Sequence, residues 1–259
     1  DLEVYNYMLS SDLVVALTLK SIAHTRARLD LNKNGGRFLS LPGYTNELLK
    51  DPALLVDYSE QLSSTQFIAY AFSLGENIVV RTREGTDITL NISGRIGNCC
   101  PGFVNEEYKL GSPPDIEANV SPVEDLSEGI IIVDGSVATK ELGLLETPIR
   151  LDINCGRIVN IESKNSEYIS ICSTIFSNVE NTSAYILAEC GVGMNPDAKL
   201  TGNMLTDEGA LGCIHFGFGS NSTVGGMNDV PFHLDFVIQN ASLLIDGVPY
   251  IINGDLLKE

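Results

Sequence analysis

From Asn77 onward the chain consists of short apolar segments separated by turn residues, and this texture restricts the fold more than any other feature. Residues 77–82 (Asn-Ile-Val-Val-Arg-Thr) and 87–92 (Asp-Ile-Thr-Leu-Asn-Ile) flank Arg83-Glu84-Gly85-Thr86, a composition suited to a hairpin turn. Ile130-Ile131-Ile132-Val133, bounded by Gly129 and Gly135, fits a buried strand. Residues 149–154 and 157–161 alternate apolar and polar side chains around Cys155-Gly156, which predicts a half-exposed hairpin. Residues 184–189 and 236–238 continue the sheet, and residues 243–248 close a last hairpin. Such strands must pair with one another to satisfy their backbones. Residues 76–259 therefore read as a β-rich catalytic domain.

The first 75 residues read differently. Residues 12–17 suit a buried strand, residues 21–28 a helix with Ser21 as N-cap, and residues 37–41 a second strand after Gly35-Gly36. Residues 46–60 are predicted helical. This βαβ opening reads as the remainder of an N-terminal α/β domain, residues 1–75. The fold class expected for the whole is α+β. The chain starts at Asp1 without Met, which implies processing or a longer parent chain, and its first residues do not form a signal peptide.

A formal net charge of −18 disfavours nucleic acid and anionic membranes as partners. No window holds 18 consecutive apolar residues, so no transmembrane span is expected. Six cysteines without CxxC spacing read as reduced thiols of a cytoplasmic protein, with Cys99-Cys100 in a turn. No P-loop, nucleophile elbow, HExxH or complete dinucleotide fingerprint is present.

Histidine is the scarcest chemical resource, present only as His24, His215 and His233. His233-Leu234-Asp235 is an H-x-D pair on an expected strand, where residues i and i+2 share a face. An imidazole and a carboxylate side by side can occupy adjacent positions on one metal, though a surface ion pair has the same spacing. His215 lies in Cys213-Ile214-His215-Phe216-Gly217-Phe218-Gly219, where glycines imply close backbone approach. Glu189 at the end of an apolar strand and Glu117 in an irregular apolar segment are carboxylates that burial would force to find cations. His24, beside Arg26 and Arg28 on an expected helix, reads as exposed or as part of a subunit interface or substrate pocket.

The order of seven short motifs resembles the aminopeptidase T family of metallopeptidases. They include Ile116-Glu117-Ala118-Asn119-Val120, Ala188-Glu189-Cys190-Gly191-Val192-Gly193-Met194-Asn195-Pro196, Asp207-Glu208 leading to His215, and His233-Leu234-Asp235. The resemblance implies a two-metal site of Glu117, Glu189, His215, His233 and Asp235, with Glu117 catalytic and Zn, Co or Mn as the divalent metal. It implies a metallo-aminopeptidase-like hydrolase acting on a small molecule or short peptide, assembled as a homo-oligomer. The chain departs from that family in lacking a Tyr in Ser220-Asn221-Ser222-Thr223. Ser21-Ile22-Ala23-His24-Thr25 is also similar to the related 2,5-dihydroxypyridine dioxygenases, which hold one Fe(II) with two His and one carboxylate. There His233 and Asp235 fit, and Glu189 stands where the other His is expected. An inactive relative that only binds a ligand is a third reading.

Overall fold

The computed structural model describes residues 2–23 and 25–257. It opens with α1 (Leu2–Leu9), β1 (Leu13–Thr18), α2 (Arg26–Lys33) and β2 (Arg37–Pro42), followed by α3 (Tyr58–Leu74). Next come β3 (Asn77–Arg81), β4 (Asp87–Asn91), β5 (Asn98–Cys100), β6 (Leu110–Gly111), β7 (Glu117–Val120), β8 (Glu128–Val133), β9 (Ser136–Val137) and β10 (Gly143–Leu144). The hairpin β11 (Ile149–Asn154) and β12 (Arg157–Ser163) leads to α4 (Ser166–Ser177), β13 (Leu187–Gly193) and α5 (Met204–Asp207). The chain closes with β14 (Cys213–Gly219), β15 (His233–Gln239), β16 (Ser242–Ile245), β17 (Val248–Ile252) and β18 (Asp255–Leu256).

The strands form three sheets, and the fold is α+β as expected. β1 and β2 run parallel, as a helical crossover requires, and β6 joins them as a third strand. The seven-stranded sheet has the order β10-β9-β15-β14-β13-β7-β5. The eight-stranded sheet has the order β12-β11-β8-β4-β3-β16-β17-β18. One continuous apolar core draws Phe216, Phe218 and Phe236 from the first of these, Ile88, Ile131 and Leu151 from the second, and Phe72 and Phe176 from α3 and α4. The turn of the predicted 149–161 hairpin uses Cys155 (φ 46°) and Gly156 (φ 66°), the left-handed pair that matches strand twist.

Four local expectations need correction. The helix expected over residues 21–28 begins instead at Arg26, because the Ser21 hydroxyl accepts a hydrogen bond from the Ala23 N–H in a local turn rather than capping a helix. The helix expected over residues 46–60 is split. Asp51 caps a 3-10 turn that starts at Pro52, and Asp57 caps α3 by accepting from Ser59 N at 2.9 Å. The strand expected over residues 184–189 starts only at Leu187, because Asn181 caps a 3-10 turn over Thr182–Tyr185; Glu189 is thus inside a strand. Cys99-Cys100 ends β5 instead of forming a turn. The expectation for His24 falls outside the described residues.

All six cysteines are free thiols, with Cys172, Cys190 and Cys213 buried and Cys155 exposed. No helix among the described residues is long and apolar enough to cross a membrane.

Candidate metal centre

The five residues singled out in the sequence converge on one face of the seven-stranded sheet. Glu117 starts β7, Glu189 lies on β13, His215 on β14, and His233 and Asp235 on β15. These four strands are hydrogen-bonded neighbours. The alternation along each strand sends Cys190, Phe216 and Leu234 into the core and the polar residues to the opposite face.

Room for His215, His233 and Asp235 comes from glycine. In the antiparallel register Glu117 faces Gly193, His215 faces Gly191, Glu189 and Asp235 both face Gly217, and His233 faces Gly219. A Cβ placed on Gly191 would lie 2.1 Å from His215 Cε1 and Nε2. One on Gly217 would lie 2.7 Å from His233 Nε2 and 2.8 Å from Asp235 Oδ1. His215, His233 and Asp235 therefore lean across positions where any side chain would stand.

The donors fall into two groups that share Glu189. Glu117, Glu189 and His215 form one, and Glu189, His233 and Asp235 the other, each with ligand atoms within 4.8 Å of one another. His215 Nε2 is 3.1 Å from Glu117 Oε2 and 3.9 Å from Glu189 Oε1. His233 Nε2 is 3.0 Å from Asp235 Oδ1 and 3.4 Å from Glu189 Oε2. Glu117, Glu189, His215 and Asp235 are all at most 7% exposed. The His233 side chain keeps 31% of its surface accessible and marks the open side.

Hydrogen bonds fix several of these groups. His233 Nδ1 lies 2.8 Å from the Ser220 carbonyl, which can only accept, so Nδ1 carries the proton and Nε2 points at the carboxylates. Asn119 donates to Glu117 Oε1 at 2.6 Å and accepts from Asn98 at 2.8 Å. Glu117 Oε2 and His215 Nδ1 are buried with no hydrogen-bond partner.

The charge state reflects the crowding. Burial opposes a charged His233, but Asp235 and Glu189 outweigh it and raise the imidazole to about 10. Burial likewise opposes ionisation of Asp235, yet His233 holds it down at about 2. Burial first, then Glu117, pushes Asp115 well above the usual carboxylate range. Burial and then Asp235 do the same to Glu208. Asp115 and Glu208 line the same cavity of about 250 Å³ but were not singled out in the sequence. A carboxylate next to Pro113-Pro114, or behind a single turn of helix, has no spacing that distinguishes it from a surface acid.

Such an assembly can hold a divalent cation. Carboxyl oxygens and imidazole Nε2 atoms, buried and converging, are the donors that Fe(II), Mn or Zn would take. Each group contributes one His and two carboxylates, so the set departs from a two-His, one-carboxylate arrangement around one ion.

Residues 2–258 match the family model for NicX, 2,5-dihydroxypyridine 5,6-dioxygenase. The chain belongs to this family. It is 24% identical over 259 residues to 2,5-dihydroxypyridine 5,6-dioxygenase of Pseudomonas putida, covering 96% of this chain and 71% of that one. The solved 2,5-dihydroxypyridine dioxygenase from Pseudomonas putida KT2440 superposes with a TM-score of 0.82 at 22% identity, over 100% of this chain and 75% of that one. Wild-type AmpT from Thermus thermophilus superposes with a TM-score of 0.70 at 14% identity, covering 99% and 80%. At these identities the superpositions establish a shared fold.

Membership in the NicX family overturns the hydrolase expectation. The reading of a metallo-aminopeptidase-like hydrolase, with Glu117 catalytic, gives way to a dioxygenase family. The resemblance to aminopeptidase T was real at the level of fold, as the AmpT superposition attests. The donor residues are compatible with either chemistry, and so could not choose between them.

Proposed function

We propose that this chain is an Fe(II)-dependent dioxygenase that opens a small dihydroxylated nitrogen-containing aromatic ring. The observation that carries the reading is the Glu189–His233–Asp235 group, with its His tautomer set by Ser220, in a chain of the NicX family. Glu189, His233 and Asp235 would hold the iron, which when bound supplies the redox chemistry by which dioxygen reacts with the ring.

The rest of the work falls to the protein. The His233 ring is kept in place by the Ser220 carbonyl. Glu117 and His215, 3.1 Å apart on the far side of Glu189, form a proton-accepting pair. A ring hydroxyl becomes more electron-rich as it loses its proton, and Glu117 Oε2, whose one polar neighbour is His215 Nε2, is placed to take that proton. The surrounding cavity of about 250 Å³ lies below the ~300–1,000 Å³ of drug-sized sites, which suits a single ring.

The test is oxygen uptake with 2,5-dihydroxypyridine by protein loaded anaerobically with Fe(II), Zn(II) or Co(II). Uptake by the Fe(II) form alone, with one iron per chain, is expected. Uptake independent of iron, or none with iron bound, would reject the proposal. Two metals per chain would reassign Glu117 and His215 from proton acceptors to ligands.

A further inference from the structure

Asp115 is one of four residues of this cavity, with Glu117, Glu208 and His215, that hold a buried polar atom without a hydrogen-bond partner. It is 7% exposed, its Oδ1 is buried without a hydrogen-bond partner, and it lines the cavity beside Glu117 and Glu208. Its carboxyl lies over Gly209, where a Cβ would come within 2.8 Å of Oδ1. A buried acceptor left without a donor is destabilising, and a fold retains one where something else supplies the donor.

The remainder of the wall narrows what that donor can be. Five carboxyl groups, those of Asp115, Glu117, Glu189, Glu208 and Asp235, line the cavity. No lysine or arginine lines it among the described residues. A ligand carrying a carboxylate would therefore meet a wall of carboxyl groups with no lysine or arginine to pair it, both imidazoles being already engaged by Glu117, Glu189 and Asp235. A ring presenting an N–H would meet the carbonyl oxygen of the Asp115 carboxyl group, which accepts whether or not that group holds its proton.

We propose that Asp115 is a specificity-determining residue that accepts a hydrogen bond from the ring N–H of an uncharged hydroxypyridone-type substrate, and that this cavity rejects carboxylated rings. The inference rests on the dioxygenase reading of the same site. 2,5-Dihydroxypyridine offers that N–H in its pyridone tautomer. Hydroquinone has the same two hydroxyls and no ring nitrogen, and the 6-carboxylate of dihydroxypyridine adds the charge.

The experiment measures binding of these three compounds by calorimetry to Fe(II)-loaded protein without oxygen, with oxygen uptake recorded separately. Wild-type protein should bind dihydroxypyridine about tenfold or more tightly than hydroquinone and its 6-carboxylate still more weakly. Asp115→Ala should erase the preference over hydroquinone while leaving hydroquinone binding unchanged. Asp115→Asn, whose amide oxygen still accepts, should keep it. Asp115→Ser, polar but too short to reach the ring, replaces the alanine variant if melting curves show that the latter does not fold. An unchanged preference in the truncated variant, equal binding of the 6-carboxylate, or no binding of any of the three would overturn the proposal. Discrimination through Asp115 without iron-dependent oxygen uptake rejects the dioxygenase reading and leaves the recognition standing. Uptake without an Asp115 effect rejects the recognition alone.

Discussion

Two alanine substitutions separate the two halves of the candidate metal centre. Gly217 and Gly191 both have backbone conformations open to any residue, so alanine adds only a methyl group. In Gly217→Ala that methyl would lie 2.7 Å from His233 Cε1 and Nε2 and 2.8 Å from Asp235 Oδ1. Ordinary contact begins near 3.4 Å, so both ligands must retreat by about 0.7 Å. In Gly191→Ala the methyl would lie 2.1 Å from two atoms of the His215 ring, which must retreat by about 1.3 Å. Overpacking costs about 1–3 kcal/mol, offset in part by about 0.4–1 kcal/mol from the stiffer unfolded chain, so both variants should fold. The functional consequences should diverge. Gly217→Ala is expected to lose about 10–100-fold in Fe(II) affinity, because it moves ligands. Gly191→Ala should bind iron nearly normally and lose about 100-fold in kcat, because a misplaced His215 no longer pairs with Glu117 over the substrate. Anaerobic competition against a calibrated chelator gives the affinities, and oxygen uptake gives the rates. Wild-type iron affinity in Gly217→Ala, or the same loss of iron in both variants, would refute the assignment.

Three further outcomes follow from the same geometry. His233→Ala and Asp235→Asn should each abolish stoichiometric iron binding while the metal-free protein stays folded; metal analysis beside melting curves checks this, and a structural ion pair would give normal metal content with a lowered melting temperature. Metal binding at pH 7 should release about one proton or more, because His233 titrates near 10 and must lose its extra proton to become a ligand. Affinity should accordingly rise with pH up to about 10, which calorimetry in buffers of different ionisation heat will show. Glu124 accepts from Asn221 and from Met227 N and pairs with Arg95, so Glu124→Ala should lower stability by about 1–3 kcal/mol at pH 7. Burial raises the Glu124 carboxyl, but those bonds hold it below its usual value; its contribution is present above the unfolded pKa and is lost as pH falls through the lower folded one. Acid melting curves of the variant should be flatter than those of the wild type.

Much of the centre was legible in the sequence because strand geometry is regular. His233 and Asp235 share a face by alternation alone, and Gly217-Phe218-Gly219 signalled the close approach that the His233 ring makes. The hairpins at residues 77–92 and 149–161 were legible for the same reason. Less legible was α4, over Ser166–Ser177, whose run of serine, threonine, tyrosine and isoleucine has weak helix propensity and which is started by Asn165 accepting from Glu167 N. Residues 46–60 misled because Asp51 and Asp57 act as two caps and break what looked like one helix. Asp115 and Glu208 were not picked out as site residues, since burial of a carboxylate is a tertiary fact. The reaction itself was misread for a chemical reason. Glu, Glu, His, His and Asp around one point suit a divalent cation, and the substrate and oxidant would decide what such a cation does.

Isotope labelling of the product tests the central claim most directly. Fe(II)-loaded protein is given 2,5-dihydroxypyridine under heavy-oxygen gas in ordinary water, and the product is read by mass spectrometry. A dioxygenase places both atoms of one dioxygen molecule in the ring-opened product, so two heavy oxygens are expected before any exchange with water. A product labelled only when the heavy oxygen is supplied as water would contradict the account.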